Sequence, residues 1–182
     1  MKHNLLENQM GPEYKLAKES RATKISIVLP PDTNHHGTLF GGRLMAYIDD
    51  VATISASRHA RLPVVTASTD YVAFLQPVRQ GQTACLTSFV SYTGKSSMEV
   101  FVKVVAEDLL TGERTMCATA FLTFVALDEQ GKPASIPQVI PETPEEKILY
   151  ESAPKRKEER KRKREESQEL AEMFGTRKIW EA

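Results

Sequence analysis

Hydrophobic and polar positions alternate in two different rhythms along this chain, and the changes of rhythm locate its elements. Residues 23–29 (TKISIVL) put Ile25, Ile27 and Leu29 on one face, as a half-buried strand does, and Pro30-Pro31-Asp32 ends the run. From about Gly42 to His59 the spacing becomes helical, and Leu62-Pro63 stops it. Period two then returns. Residues 64–74 (VVTASTDYVAF) are closed by Gln76-Pro77, and residues 83–92 (TACLTSFVSY) lead into the turn Thr93-Gly94-Lys95. Residues 97–108 (SMEVFVKVVAED) pair back as a hairpin, and after Leu110-Thr111-Gly112-Glu113 residues 114–127 form the last strand.

Strand, long helix, then four strands joined largely by hairpins predicts an α+β fold. Such a helix buries its apolar stripe only by lying across the sheet, so a curved antiparallel sheet should wrap it. Residues 1–19 are polar and irregular, an N-terminal arm with a short helix near residues 13–19. Residues 20–132 form the folded unit. Pro133, Pro137, Pro141 and Pro144 mark an extended arm or linker, and from Glu145 to the end the composition suits a charged helix with a short apolar stripe at Leu170, Met173 and Phe174.

Composition adds bounds. With 182 residues and 41% apolar content the chain supports one sizeable core. The net charge of zero hides an asymmetry: residues 155–166 (KRKEERKRKREE) hold eight bases against four acids, while residues 1–154 carry a net of −3. A solvated helix is the default reading of that tail. Interleaved glutamates and few aromatics argue against nucleic acid as its partner. Cys85 and Cys117 sit in apolar strand runs with no metal or redox spacing, which reads as buried thiols. The first ten residues lack the apolar core of a signal peptide and no run approaches membrane-spanning length, so the expectation is a cytoplasmic protein without a membrane partner.

The chemistry concentrates in residues 34–50 (NHHGTLFGGRLMAYIDD). A glycine pair opening a helix leaves bare N–H groups at the positive end of the helix dipole, a place for an anion or a polarised carbonyl oxygen. On a helical wheel Leu44, Ile48, Val51 and Ser55 form one row, and Met45, Ala52 and Ala56 a neighbouring one with Asp49 at its edge. Asp50 points elsewhere, toward Arg43, Thr53, Ser57 and Arg61, and reads as an exposed acid. Asp49 stands where a covering surface would desolvate it. By helix geometry alone, a solvated border is the stronger reading of Asp49; the glycines two turns upstream move the balance toward function. Asn34 is by itself a turn or capping residue. His35 and His36 are adjacent, with no further ligands at zinc spacing, so no metal is assigned.

The run Asp32-Thr33-Asn34-His35-His36-Gly37-Thr38-Leu39-Phe40-Gly41-Gly42, followed by Leu44-Met45 and Asp49, resembles the signature of hotdog-fold acyl-CoA thioesterases of the acyl-CoA hydrolase branch. Gly94-Lys95-Ser96-Ser97-Met98-Glu99 is similar to that branch's second recurrent segment, and the element order of residues 20–130 agrees as well. The resemblance implies hydrolysis of acyl-CoA to a carboxylic acid and CoA, with no cofactor, in a homodimer whose active sites lie at the interface, assembled as a trimer of dimers. It implies Asp49 as general base or nucleophile and Asn34 as the residue orienting water or substrate. Some relatives carry asparagine where Thr38 stands, which leaves Asn34 and Thr38 both open as the second polar partner.

On those roles the N–H groups of Gly41 and Gly42 polarise the thioester carbonyl. Thr93, Gly94, Lys95 and Ser96, in isolation a hairpin turn with a cation, become candidate CoA contacts. Tyr71, Phe74 and Leu75 are candidates for the acyl channel as well as plain core. A dehydratase on the same fold is disfavoured, because the helix's only histidine, His59, lies at its far end. The alternative from a different class is a non-catalytic acyl-CoA or fatty-acid-responsive binding module.

Overall fold

A computed structural model describes residues 13–176. Seven strands and two helices follow one another: β1 (Tyr14–Leu16), β2 (Ala22–Ile27), α1 (Gly41–Ala60), β3 (Val64–Phe74), β4 (Thr83–Thr93), β5 (Ser97–Glu107), β6 (Arg114–Ala126), β7 (Gln138–Ile140) and α2 (Pro144–Phe174). The predicted helix near residues 13–19 is instead β1 followed by a 3-10 turn over Ala17–Ser20. β1 pairs in parallel with β7, so the proline-rich arm lies on the surface of the fold, with Ile136 and Val139 buried.

The main sheet is antiparallel throughout, in the order β2-β4-β5-β6-β3. β4, β5 and β6 form the meander expected from their turns. β3 instead crosses to the far edge and pairs with β6, so it is not joined to β4 by a hairpin. The alternation along β4–β6 then sorts itself by face. Leu86, Val90, Val100, Val102, Val104, Ala120, Leu122 and Phe124 point inward and are wholly buried. α1 lays Leu44, Ile48, Val51, Ala52 and Ala56 against them. Ser55 belongs to the same row. Its hydroxyl meets that of Ser88 at 2.7 Å, and Ser88 donates to the Val51 carbonyl at 2.9 Å, so this polar pair is satisfied in the core.

β2 departs from its predicted orientation. Ile25, Ile27 and Leu29 share a face, but that face is the outer one, and Ile25 is 64% exposed. The inner side of this edge strand meets the polar flank of α1: Lys24 pairs with Asp50 at 2.9 Å and lies over the Tyr47 ring. Lys24 thus supplies the cation beside Asp50 that the helical wheel had assigned to the helix itself.

α2 crosses the outer face of the sheet. Thr143 caps it, accepting from Glu146 N–H while the Glu146 carboxylate accepts from Thr143 N–H, and Pro144 opens the first turn. Ion pairs then pin it at successive strands: Glu146 to Arg21 before β2, Glu145 to Lys103 on β5, Arg156 to Glu99 on β5, and Arg160 to Asp70 on β3. Beyond Arg160 every described residue of the helix is exposed. No described helix is long and apolar enough to cross a membrane.

Candidate active site

The polar segment before α1 is wound around Asn34. Its Oδ1 accepts from the N–H of His36 at 2.9 Å and of Thr38 at 3.3 Å, an Asx turn that closes the loop. The Thr38 hydroxyl stands 3.0 Å from Nδ2 and 3.2 Å from Oδ1 of the same amide, and the two backbone N–H donors fix which end is the oxygen. Gly37 takes the left-handed conformation, φ 69°, that this tight turn needs. The rings of His35 and His36 lie with centroids 3.8 Å apart, tilted by 44°, and are exposed. Among the described residues no three His, Cys, Asp or Glu side chains cluster as a metal would require.

The chain then enters α1 through Phe40. The first helical hydrogen bond runs from Leu44 N–H to the Phe40 carbonyl at 3.0 Å, and Phe40 offers no side-chain cap. The N–H groups of Gly41, Gly42 and Arg43 therefore precede the helical ladder. A Cβ on Gly42 would lie 2.6 Å from Cε1 of Phe40, whereas one on Gly41 would meet nothing within 4 Å. Arg43 ties this end to the preceding turn by pairing with Asp32 at 3.0 Å.

Beside this helix start lies a cavity of about 360 Å³, lined by Asn34, Thr38, Gly41 and Leu44 and, from the end of β3, by Phe74 and Leu75. Asn34, Thr38 and Gly41 are thus brought together with apolar walls. Tyr71, two positions before Ala73 on the same strand, is not in the lining and is exposed.

Asp49 is elsewhere. It is half-buried two turns down α1, where its Oδ1 accepts from the Thr66 hydroxyl of β3 at 3.0 Å. Thr66 escaped the reading of the sequence. A threonine in an alternating strand carries no signal of its own until the strand's face and its bulges are known. The turn Thr93-Gly94-Lys95-Ser96 sits at the opposite end of α1 from Gly41, beside His59: Lys95 O accepts from Ile136 N–H, and Pro137 O meets His59 Nε2 at 2.8 Å. Within it Thr93 is buried with its hydroxyl engaged by Gln138 and Val139, whereas Lys95 is exposed. One copy of the chain therefore separates the cavity, the carboxylate and the basic turn. Cys85 and Cys117 are buried free thiols, and burial pushes the Cys117 thiol up.

One long helix held in a curved five-stranded antiparallel sheet is the hotdog architecture. The profile of the thioesterase superfamily matches residues 36–113. An uncharacterized acyl-CoA thioester hydrolase of Bacillus subtilis is 56% identical over 169 residues, covering 93% of this chain and 98% of its own. The cytosolic acyl coenzyme A thioester hydrolase of Mus musculus is 34% identical over 89% of this chain, which spans 43% of that longer protein. Among solved structures, the Staphylococcus aureus acyl-CoA hydrolase with butyryl coenzyme A, coenzyme A and coenzyme A disulfide superposes with a TM-score of 0.85 at 47% identity, covering 88% of this chain and 98% of that one. Variants of that enzyme with alanine in place of one aspartate, one threonine or one asparagine superpose equally well. An apo hexameric acyl-CoA thioesterase gives 0.81 at 51% identity, covering 84% and 97%. The chain belongs to the thioesterase superfamily, among its hotdog-fold acyl-CoA thioester hydrolases.

Proposed function

We propose that this chain hydrolyses acyl-CoA thioesters to a free carboxylic acid and CoA, at a site shared between two copies. Gly41 and Gly42 N–H groups polarise the thioester carbonyl. Either Asp49 takes a proton from the attacking water, whose oxygen bonds the carbonyl carbon as the C–S bond breaks and the proton passes to the leaving sulfur, or Asp49 attacks the carbon itself, expelling CoA thiolate. In the second case water then hydrolyses the acyl-aspartyl anhydride to the free acid, restoring the carboxylate and supplying the thiol proton. Thr66 aims the Asp49 carboxylate. Asn34, braced by Thr38, orients water or substrate. No cofactor enters these steps.

The observation that carries this reading is the set Asn34, Asp49 and Thr66. The asparagine, aspartate and threonine replaced in the S. aureus variants follow one another in the same order and at the same separations. In this chain the last two are hydrogen-bonded to each other.

Two copies are needed because, along α1, Asp49 stands about 12 Å from Gly41 at the helical rise per residue. β3 is an edge strand, exposed over residues 65–69, with Val65, Tyr71 and Phe74 uncovered. Paired with its own copy about a two-fold axis it runs antiparallel. The Thr66–Asp49 end of one copy then faces the Phe74–Leu75 end of the other. The same reversal carries the partner's Thr93-Gly94-Lys95-Ser96 turn toward the cavity, where exposed Lys95 meets CoA phosphates. Dimers join further into a hexamer, as in the related thioesterases described as hexameric.

Release of free thiol from a series of acyl-CoA esters tests the reading. Thiol release is expected from the native chain and should fall by about 10²–10⁴-fold in Asp49→Ala. A folded, assembled Asp49→Ala protein working at the native rate would contradict it, and binding without release would point to the non-catalytic module.

A further inference from the structure

β3 carries Thr66 to Asp49, yet its pairing with β6 breaks twice just beyond that residue. The register shifts between Thr66 and Ser68 and again between Thr69 and Tyr71, so Ala67 and Asp70 have no partner across the ladder. A doubly bulged edge strand bends and is left locally unpaired. What holds this one is a side chain. Asp70 Oδ2 accepts from the Thr123 hydroxyl of β6 at 2.7 Å, Oδ1 accepts from Ser68, and Arg160 Nε of α2 stands 3.5 Å from Oδ2. Arg160 is itself anchored, its Nη1 donating to Glu99 Oε2 of β5 at 2.6 Å. Glu99 is held from several sides. Its carboxylate is wholly buried, takes Nε and Nη2 of Arg156 at 3.0 and 2.7 Å, and accepts from the Ser91 hydroxyl at 2.8 Å.

From the buried Glu99, a chain of contacts thus runs through Arg160 of the C-terminal helix to the bulge of the strand that would orient Asp49. We propose that Asp70 and Arg160 are positioning residues: the latch Glu99–Arg160–Asp70 fixes the bulged segment of β3 so that Thr66 meets Asp49. The proposal rests on the roles given above to Asp49 and Thr66. Stability alone gives a weak reason for such a network, because buried ion pairs add little over apolar replacements of the same shape. The latch and Thr66 lie on opposite faces of one strand: Thr66 points to α1, while Asp70 shares the outer face with Thr123. Restraint on Asp70 therefore reaches the carboxylate through four residues of backbone. α2 becomes a working part of the site and not a solvated tail.

The test compares Asp70→Asn, Arg160→Gln and Arg160→Lys, alone and combined with Thr66→Ala, in thiol release. Asp70→Asn is isosteric and keeps the Thr123 contact, so it remains informative if Arg160→Gln does not fold. The proposal predicts a kcat lower by about 10- to 100-fold with KM within about two-fold in Asp70→Asn and Arg160→Gln. Arg160→Lys should recover part of the loss. The double variants should be no slower than Thr66→Ala, since both changes disable one device. Glu145→Ala, which loosens the same helix at its exposed pair with Lys103, should keep the native kcat. Native kcat in Asp70→Asn and Arg160→Gln, losses that multiply with that of Thr66→Ala, or an equal loss in Glu145→Ala would overturn it. Amide hydrogen exchange reads the latch apart from catalysis: faster exchange in Asp70→Asn confined to residues 66–71 is expected, and unchanged exchange overturns the proposal. A native rate in Thr66→Ala with that faster exchange would count against the site reading alone.

Discussion

His59 shows how one buried ring couples the fold to pH. Its Nε2 donates to the Pro137 carbonyl at 2.8 Å, which leaves Nδ1 buried without a partner among the described residues. Burial holds its pKa below the ordinary value near 6.5, against the Pro137 hydrogen bond and with help from the Lys15 ammonium. The unfolded chain therefore takes up this proton first as the pH falls. The stability contributed by neutral His59 is complete above about pH 6.5 and is lost as pH drops toward the folded value, by at most about 1.4 kcal/mol per pH unit. Denaturant unfolding between pH 7.5 and 5.5 should show this decline, and His59→Gln should flatten it. Glu146 acts lower on the scale. Burial raises its pKa, but the N–H groups of Thr143 and Glu142 and the Arg21 guanidinium outweigh that and bring it below 4.5, so its share is lost only in more acidic solution. At this scale the sequence was informative where chemistry is local. Asn34, Gly41 and Gly42 fall within nine residues and announce themselves by turn and helix-start rules. Thr66 could not, because its meaning comes from a carboxylate on another element.

Among the elements, α1 and the four strands after it lie within one or two residues of their predicted bounds, since period and turn residues both mark them. Two features were hidden. The face of β2 was misassigned because alternation tells which residues share a side, not which side is covered. The charged run of α2 read as a solvated face, yet Arg156 and Arg160 reach Glu99 across 57 and 61 residues of sequence. No local rule reports a partner at that distance. Glu99 accepts four hydrogen bonds, two from Arg156 and one each from Arg160 and Ser91, so removing Arg156 takes half of them and one of two neighbouring cations. Arg156→Ala should cost about 2–3 kcal/mol of stability, measured by denaturant unfolding. Lys103→Ala, at a partly exposed pair, should cost about 1 kcal/mol or less.

Among the described residues, two uncovered apolar surfaces lie on the main sheet. One is the β3 edge, with Val65, Tyr71 and Phe74. The other lies across the outer face at the opposite edge, where exposed Ile25 and Met116 stand in register on either side of buried Cys85 and half-buried Val105, flanked by exposed Ile27 and Leu29. The proposed hexamer of dimers needs two kinds of interface, and these surfaces are the candidates for them. Ile25→Lys combined with Ile27→Glu should therefore yield dimers that retain thiol release per site, with the mass read by light scattering. A persistent hexamer would assign the outer face no such part. The β3 surface carries the larger consequence, because in the proposed dimer it would join the cavity of one copy to the carboxylate of another.

Co-refolding Asp49→Ala with Asn34→Ala tests that joining directly. Each variant alone lacks one half of every site. In a mixed dimer one site receives Asn34 from one copy and Asp49 from the other, both intact, while its sister site loses both. Random pairing should restore about a quarter of the native thiol release, well above the sum of the two variants refolded alone. Activity no greater than that sum, in a mixture shown by tagged copies to have exchanged subunits, would contradict a site built from two chains.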